Sequence, residues 1–260
     1  MSLANLPPLY ITGVSLLVGG ALSLPWMKYW SFSWRALAVG SYGQFTYHVL
    51  YIFALRNAPA ANANLVQYAW PLLTVLMAPL AGRALKLGGW HVIAALIAFG
   101  GLVMATFDEV ERSMRWQSGY GFALAAAFVW ASYSIAEARS KSSSPVDVGP
   151  ACMLSGLLAL LAHYVSEAHA APSWGQWQIL LALGAGPTGG AFYLWSLAVR
   201  RGDVRVIGVI SYLTPILSTG VLLLYQGRPL TLPLLVAATL VSLSSMAVLF
   251  VSRPIRLAHS

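Results

Sequence analysis

Apolar runs of about the 20 residues that a helix needs to cross hydrocarbon recur along the whole chain. They cover residues 9 to 27, 36 to 56, 60 to 82, 88 to 107, 118 to 138, 147 to 166, 175 to 199, 204 to 226 and 230 to 252. The joints are short and rich in Pro, Gly and Ser, as at Ala58-Pro59, Gly88-Gly89, the 140–145 stretch and Ala171-Pro172-Ser173. No gap could hold a soluble domain. The pattern predicts an all-α polytopic membrane protein with nine visible helices.

The third run reads Asn64-Leu-Val-Gln67-Tyr68-Ala-Trp70-Pro71-Leu-Leu-Thr74 and carries its proline in mid-helix. A proline there costs about 3 kcal/mol in a water-exposed helix, because it cannot donate to the carbonyl four residues back. A second copy follows 144 positions later, pairing Gln67 with Ser211, Tyr68 with Tyr212, Trp70 with Thr214, Pro71 with Pro215 and Thr74 with Ser218. Each proline is expected to free a carbonyl, that of Gln67 or Ser211, beside a polar stripe at helical spacing: Gln67/Trp70/Thr74 and Ser211/Thr214/Ser218. Broken, polar-faced helices survive in a membrane only against protein or a cavity, so the pair predicts the walls of a pathway. The copies lie on the third and eighth runs, five spans apart, and therefore cross the membrane in opposite directions. Two inverted five-helix repeats follow, over residues 1–110 and 111–260, ten helices in all. The first repeat shows four, so a further helix is expected ahead of Met1.

Composition agrees with the pattern: 58% of residues are hydrophobic and 8% charged. The net charge of +8 would suggest nucleic acid in a soluble chain. Here the basic residues sit in short gaps between apolar runs, which excludes that partner. Alternate gaps hold Lys28, Arg35, Arg83, Lys86, Arg139, Lys141, Arg200, Arg201, Arg205, Arg253 and Arg256, eleven of the fifteen basic residues. The opposite gaps hold Arg56, Arg112, Arg115 and Arg228, with Asp108, Glu109 and Glu111 among them. By the positive-inside rule the C-terminus is cytoplasmic. One cysteine, Cys152, excludes an intrachain disulfide and reads as a packing residue. No Lys or Arg precedes Lys28, which argues against a cleaved signal peptide.

Candidate chemistry is aromatic. Tyr47 and Tyr51 share a face of the second run, with His48 about 100 degrees round. His48 could pack, bond between helices, contact substrate or take a proton. Trp130 and Tyr133 share a face of the fifth run with Glu137, which reads as a salt-bridged boundary residue beside Arg139 and Lys141 rather than a coupling carboxylate. Phe192, Tyr193 and Trp195 add mid-span rings on the seventh. Trp26, Trp30, Trp34, Trp90, Trp116, Trp174 and Trp177 lie at run ends and read as an interfacial belt. The string Gly184-Ala-Gly186-Pro-Thr-Gly189 matches a dinucleotide fingerprint in letters only. No strand precedes it, so its glycines are assigned to packing or a kink. No catalytic constellation, metal set or cofactor signature is present, which points away from an enzyme.

The segments Val66-Gln-Tyr-Ala-Trp-Pro-Leu-Leu-Thr74, Trp130-Ala-Ser-Tyr133 and Ser211-Tyr-Leu-Thr-Pro-Ile-Leu-Ser218 resemble the EamA-type drug/metabolite transporter superfamily, and within it the YddG-type amino-acid exporters. That resemblance implies ten helices, cytoplasmic termini, a bacterial inner-membrane location and a central substrate cavity. It implies alternating-access export of aromatic and other amphipathic amino acids by a monomer in the lipid bilayer. Export of cationic drugs or other small metabolites, or a passive channel, stands as the alternative. The expected substrate-binding residues are Tyr47, His48, Tyr51, Gln67, Tyr68, Trp70, Trp130, Tyr133, Tyr193, Trp195, Ser211, Tyr212 and Thr214, with Pro71 and Pro215 as helix breaks. Their ring faces can hold an apolar side chain or an ammonium group for about 0.5 to 2 kcal/mol.

Overall fold

The protein is described from a computed structural model, over residues 3, 5–30, 33–82, 85–106, 116–140, 145–169, 171–227 and 229–252. Arg83, Asp108, Glu109, Glu111, Arg112, Arg115, Lys141, Arg228, Arg253 and Arg256 lie outside the described residues.

Among the described residues the apolar runs become nine helical rods. The first is α1 (Pro8–Ala21), followed by a 3-10 stretch over Leu24–Tyr29. The second joins α2 (Trp34–Ser41) to α3 (Tyr47–Arg56) through a π-helical turn at Tyr42–Thr46. The third is α4 (Ala60–Gln67) and α5 (Trp70–Met77), ending in a 3-10 turn at Ala78–Ala81. Then come α6 (Gly89–Ala105), α7 (Ser118–Arg139) and α8 (Val148–Ser166). The seventh rod is α9 (Trp174–Ala185) and α10 (Gly190–Arg201). The eighth is α11 (Val204–Ile210) and α12 (Leu213–Tyr225), and the last is α13 (Leu232–Val251).

Local chemistry explains the joints. Ser173 opens α9 with a capping box: its hydroxyl accepts from the Gln176 amide at 3.4 Å and the Gln176 side chain accepts from the Ser173 amide at 2.9 Å. Between α9 and α10 the glycine string both kinks the rod and lets it close on α1. A side chain on Gly184 would lie 2.6 Å from the Ser15 carbonyl. Two of the four broken or widened rods carry the paired prolines, and each break falls at the Tyr just before: Tyr68 ends α4, and Tyr212 precedes α12. One expectation is corrected here. The Ser211 carbonyl is not free, because the chain tightens by a residue and the Thr214 amide reaches it at 3.1 Å.

Packing follows small residues, as expected where lipid removes any hydrophobic drive between helices. A Cβ on Gly13 of α1 would stand 3.0 Å from the Gly156 carbonyl of α8, and one on Gly156 would stand 2.8 Å from that of Gly13. At the centre runs α7, which touches α3, α4, α5 and α10. Contacts between rod ends sort the two faces of the bundle. At one end Arg56 pairs with Glu167 at 2.6 Å, and Glu167 accepts from the Leu9 amide at 3.1 Å. At the other, Arg205 donates to the Lys86 carbonyl at 2.7 Å and His91 Nε2 lies 3.2 Å from the Ser252 hydroxyl. The second end carries Lys28, Arg35, Lys86, Arg139, Arg200, Arg201 and Arg205, and is termed here the basic-rich end; the first is the basic-poor end.

The two proline-broken rods meet directly in their basic-rich halves. Gly208 of α11 lies so close to α5 that a Cβ would be 2.8 Å from the Val75 side chain and 3.0 Å from the Pro71 carbonyl. Beside it the Leu72 amide donates to the Tyr212 hydroxyl at 3.2 Å, which caps one of the amides that a helix start leaves without an intrahelical partner. Toward the basic-poor end α4 and α12 diverge. Six of the belt tryptophans are exposed as expected, from Trp177 at 36% to Trp34 at 86%, whereas Trp30 is half-buried.

Candidate functional site

A cavity of about 150 Å³ fills the space where α4 and α12 part. Its wall includes Asn64 and Tyr68 from α4, Thr106 at the end of α6, and Pro215, Ser218 and Thr219 from α12. Among the described residues the lining contains hydroxyls, an amide and a ring but no charged side chain. The Tyr51 hydroxyl donates to Asn64 Oδ1 at 3.0 Å, so the cavity wall continues into α3.

From there the rings are continuous. Tyr51 stacks on Tyr47 at 5.9 Å between centroids, and Tyr47 lies 5.2 Å from Trp130. Trp130 is the hub: it also lies 6.1 Å from Trp70, 5.5 Å from Tyr133, 5.5 Å from Phe192 and 5.8 Å from Trp195. Trp70 and Trp195 meet edge-on at 5.2 Å. Polar ties fix the rings: Gln67 donates to the Tyr47 hydroxyl at 3.2 Å, and Trp195 Nε1 donates to the Ser134 hydroxyl at 3.0 Å. The first polar stripe therefore points at α3 and α7, with Thr74 fully buried and bonded back to the Trp70 carbonyl at 2.8 Å.

His48 sits beside this group with Nδ1 2.6 Å from the Gln44 carbonyl. A carbonyl can only accept, so Nδ1 carries the proton there. Gln44 belongs to the π-helical turn, and its carbonyl accepts from the Tyr47 amide as well as from His48. His48 also meets Phe192 at 6.3 Å.

The other candidates lie away from the cavity lining, most of them held in packing contacts. Tyr133, 1% exposed, is pressed onto the backbone of Gly43. Tyr193 donates to the Gly19 carbonyl at 2.9 Å and so ties α10 to α1. Tyr212 is fully buried in the core cluster that also holds Val75, Leu102 and Val241. The Ser211 hydroxyl bonds the Ile207 carbonyl at 2.7 Å, and Thr214 is exposed. Glu137 is salt-bridged, as expected, and its partner is Arg200 of α10 rather than its helix neighbour Arg139, since residues two apart on a helix point to different faces. Asn64, Phe192 and Ser134 were not among the expected site residues. Asn64 was within reach of the pattern, one turn before Gln67 on the same stripe.

Comparison with known proteins agrees with this architecture. The chain matches the EamA-like transporter family over residues 1–107 and again over 117–250. It is 35% identical over 229 residues to a protein of Ancylobacter novellus named aromatic amino acid exporter YddG, covering 84% of this chain and 79% of that one. A protein of the same name from Salmonella typhimurium is 25% identical over 230 residues, covering 83% and 77%. A solved crystal structure superposes with a TM-score of 0.89 at 31% identity, covering 96% of this chain and 91% of its own. The rods, the doubled match and the relatives together make this chain a member of the EamA-like transporter family, a polytopic membrane transporter of the drug/metabolite superfamily.

Proposed function

We propose that the chain exports aromatic and other amphipathic amino acids by alternating access, acting as a monomer in the bacterial inner membrane with its C-terminus cytoplasmic. The observation that carries this reading is the unbroken run of rings from Trp130 through Tyr47 and Tyr51 to the Asn64 wall of the cavity. Such a surface suits cargo with an apolar side chain and a small polar head, because ring faces hold both without stranding a charge. The names of the relatives from Ancylobacter novellus and Salmonella typhimurium, both aromatic amino acid exporters, support the cargo class. The skew of basic residues supports the orientation. Tyr47, His48, Tyr51, Gln67, Tyr68, Trp70, Trp130 and Trp195 are the substrate-facing residues of this reading, with Asn64 and Ser218 added at the cavity. The described lining is neutral, of hydroxyls, an amide and a ring, which suits a zwitterion that carries its own counter-charge.

Counterflow by purified protein in liposomes, across aromatic, aliphatic and cationic solutes, tests the proposal. Trp130→Ala and Tyr51→Ala should each lower phenylalanine counterflow about tenfold or more per folded molecule, the equivalent of about 1.4 kcal/mol of lost binding. Trp174→Ala, at a site 78% exposed on the belt, should leave that rate unchanged. Full activity in folded Trp130→Ala and Tyr51→Ala protein would refute the assignment.

A further inference from the structure

The cavity lies toward the basic-poor end, and the basic-rich end carries a specific fastening. Going down α7 from Trp130 toward the basic-rich end, Ser134 accepts from Trp195 at 3.0 Å. One turn further, a single oxygen of Glu137, Oε2, accepts from the Ser196 hydroxyl at 2.7 Å and from Arg200 Nε at 3.0 Å and Nη2 at 2.7 Å. Both side chains of the ion pair are 9% exposed. All three ties join the same two helices, α7 and α10, and the last is the only one of them that is ionic.

We infer that Glu137, Arg200 and Ser196 form the gate that keeps the basic-rich end closed. Three observations converge on it. The cavity lies between α4 and α12, toward the basic-poor end, while α5 and α11 are in contact. A plug of buried side chains, with Val199, Val204, Ala78 and Ala138 among them, fills the bundle beside the ion pair. At the basic-poor end the Glu167–Arg56 pair is formed with its arginine 47% exposed while the cavity there persists, so a half-exposed ion pair does not shut an end. Separating a buried pair leaves two desolvated charges, which makes this closure cooperative: it holds until water can reach both partners together.

This inference rests on the alternating-access reading, and the test reads the gate without cargo. Val199, fully buried in the plug, is replaced by Cys in a Cys152→Ala background, and its modification by a membrane-impermeant maleimide is timed in lipid nanodiscs. Glu137→Gln should speed labelling at least tenfold. So should Glu137→Gln/Arg200→Gln, which removes both charges together and strands neither. Arg56→Gln, at the other pair, should leave it unchanged. Equal protection of the cysteine in the folded double variant would overturn the gate, as would equal acceleration by Arg56→Gln or acceleration confined to protein that has lost its single-species elution. Failure of wild-type counterflow would instead strike the transport reading and leave the labelling result standing.

Discussion

The α4–α5 rod and the α11–α12 rod are broken at prolines 144 positions apart, yet α5 buries what α12 exposes. Gln67, Pro71 and Thr74 are buried and Trp70 half-buried, whereas at the matching places Ser211 is buried, Pro215 half-buried, and Ser218 and Thr214 exposed. Leu217, Val221, Leu222 and Leu224 of α12 are more than half exposed as well. The sequence repeat thus specifies a backbone device, a break near the middle of a membrane helix. What covers the polar stripe is decided by a third element. In the first half α7 lies against both α4 and α5; in the second α13 and α6 lie against α11 and α12 and leave the Thr214/Ser218 side of α12 exposed.

This comparison can be pushed on by changing matched positions. The largest effect is expected at Gly208, where a Val side chain would drive α11 off α5 and cost about 1–3 kcal/mol by overpacking. Its counterpart Asn64 is exposed, so Asn64→Ala should shift thermal unfolding in detergent by no more than about 0.5 kcal/mol while disturbing the Tyr51 contact. Equal destabilisation by the two would dissolve the contrast.

A smaller difference is expected between the paired tyrosines. Tyr212→Phe removes the hydroxyl that accepts from the Leu72 amide and should lower stability by about 1 kcal/mol. Tyr68→Phe, at the cavity wall, should act on transport instead. Thermal midpoints and counterflow on the same preparations separate these outcomes.

The smallest effect concerns acid. Asp203 caps α11, accepting from the Arg205 amide at 2.9 Å and from its Nε at 3.0 Å. Burial raises the affinity of this carboxyl for a proton, but the Arg205 bonds outweigh burial and hold it below the ordinary carboxylate value. A depressed value means that the group stabilises the fold above its unfolded pKa of about 3.9, and that this contribution is lost as pH falls through the lower folded value. The matching residue, Pro59, precedes α4 and offers no side-chain hydrogen bond to its amides. Acid unfolding below about pH 4 should therefore weaken on Asp203→Asn, by on the order of 0.5 kcal/mol, with the first half unaffected.

The rods were legible in the sequence because a membrane imposes one length and one polarity on every span. The breaks near Pro71 and Pro215 were legible too, since proline acts on its own backbone. Partners across the bundle were not. That Trp130 touches five rings, that Gly208 admits α5, and that Glu137 reaches Arg200 depend on rotations and crossing distances that no periodicity encodes. The fate of the Ser211 carbonyl turned on a one-residue tightening, too small a change for the spacing of prolines to report.

The π-helical turn at Tyr42–Thr46 has a mechanical consequence. One extra residue in a single turn offsets the angular register of everything after it, so the rod presents one side before the turn and another beyond it. Its two arms accordingly have different hosts: α2 rests on α8 and α3 rests on α7. A uniform helix would couple those hosts as a stiff strut. This one is interrupted between them, so the arm resting on α8 and the arm resting on α7 are joined by a turn instead of a continuous strut.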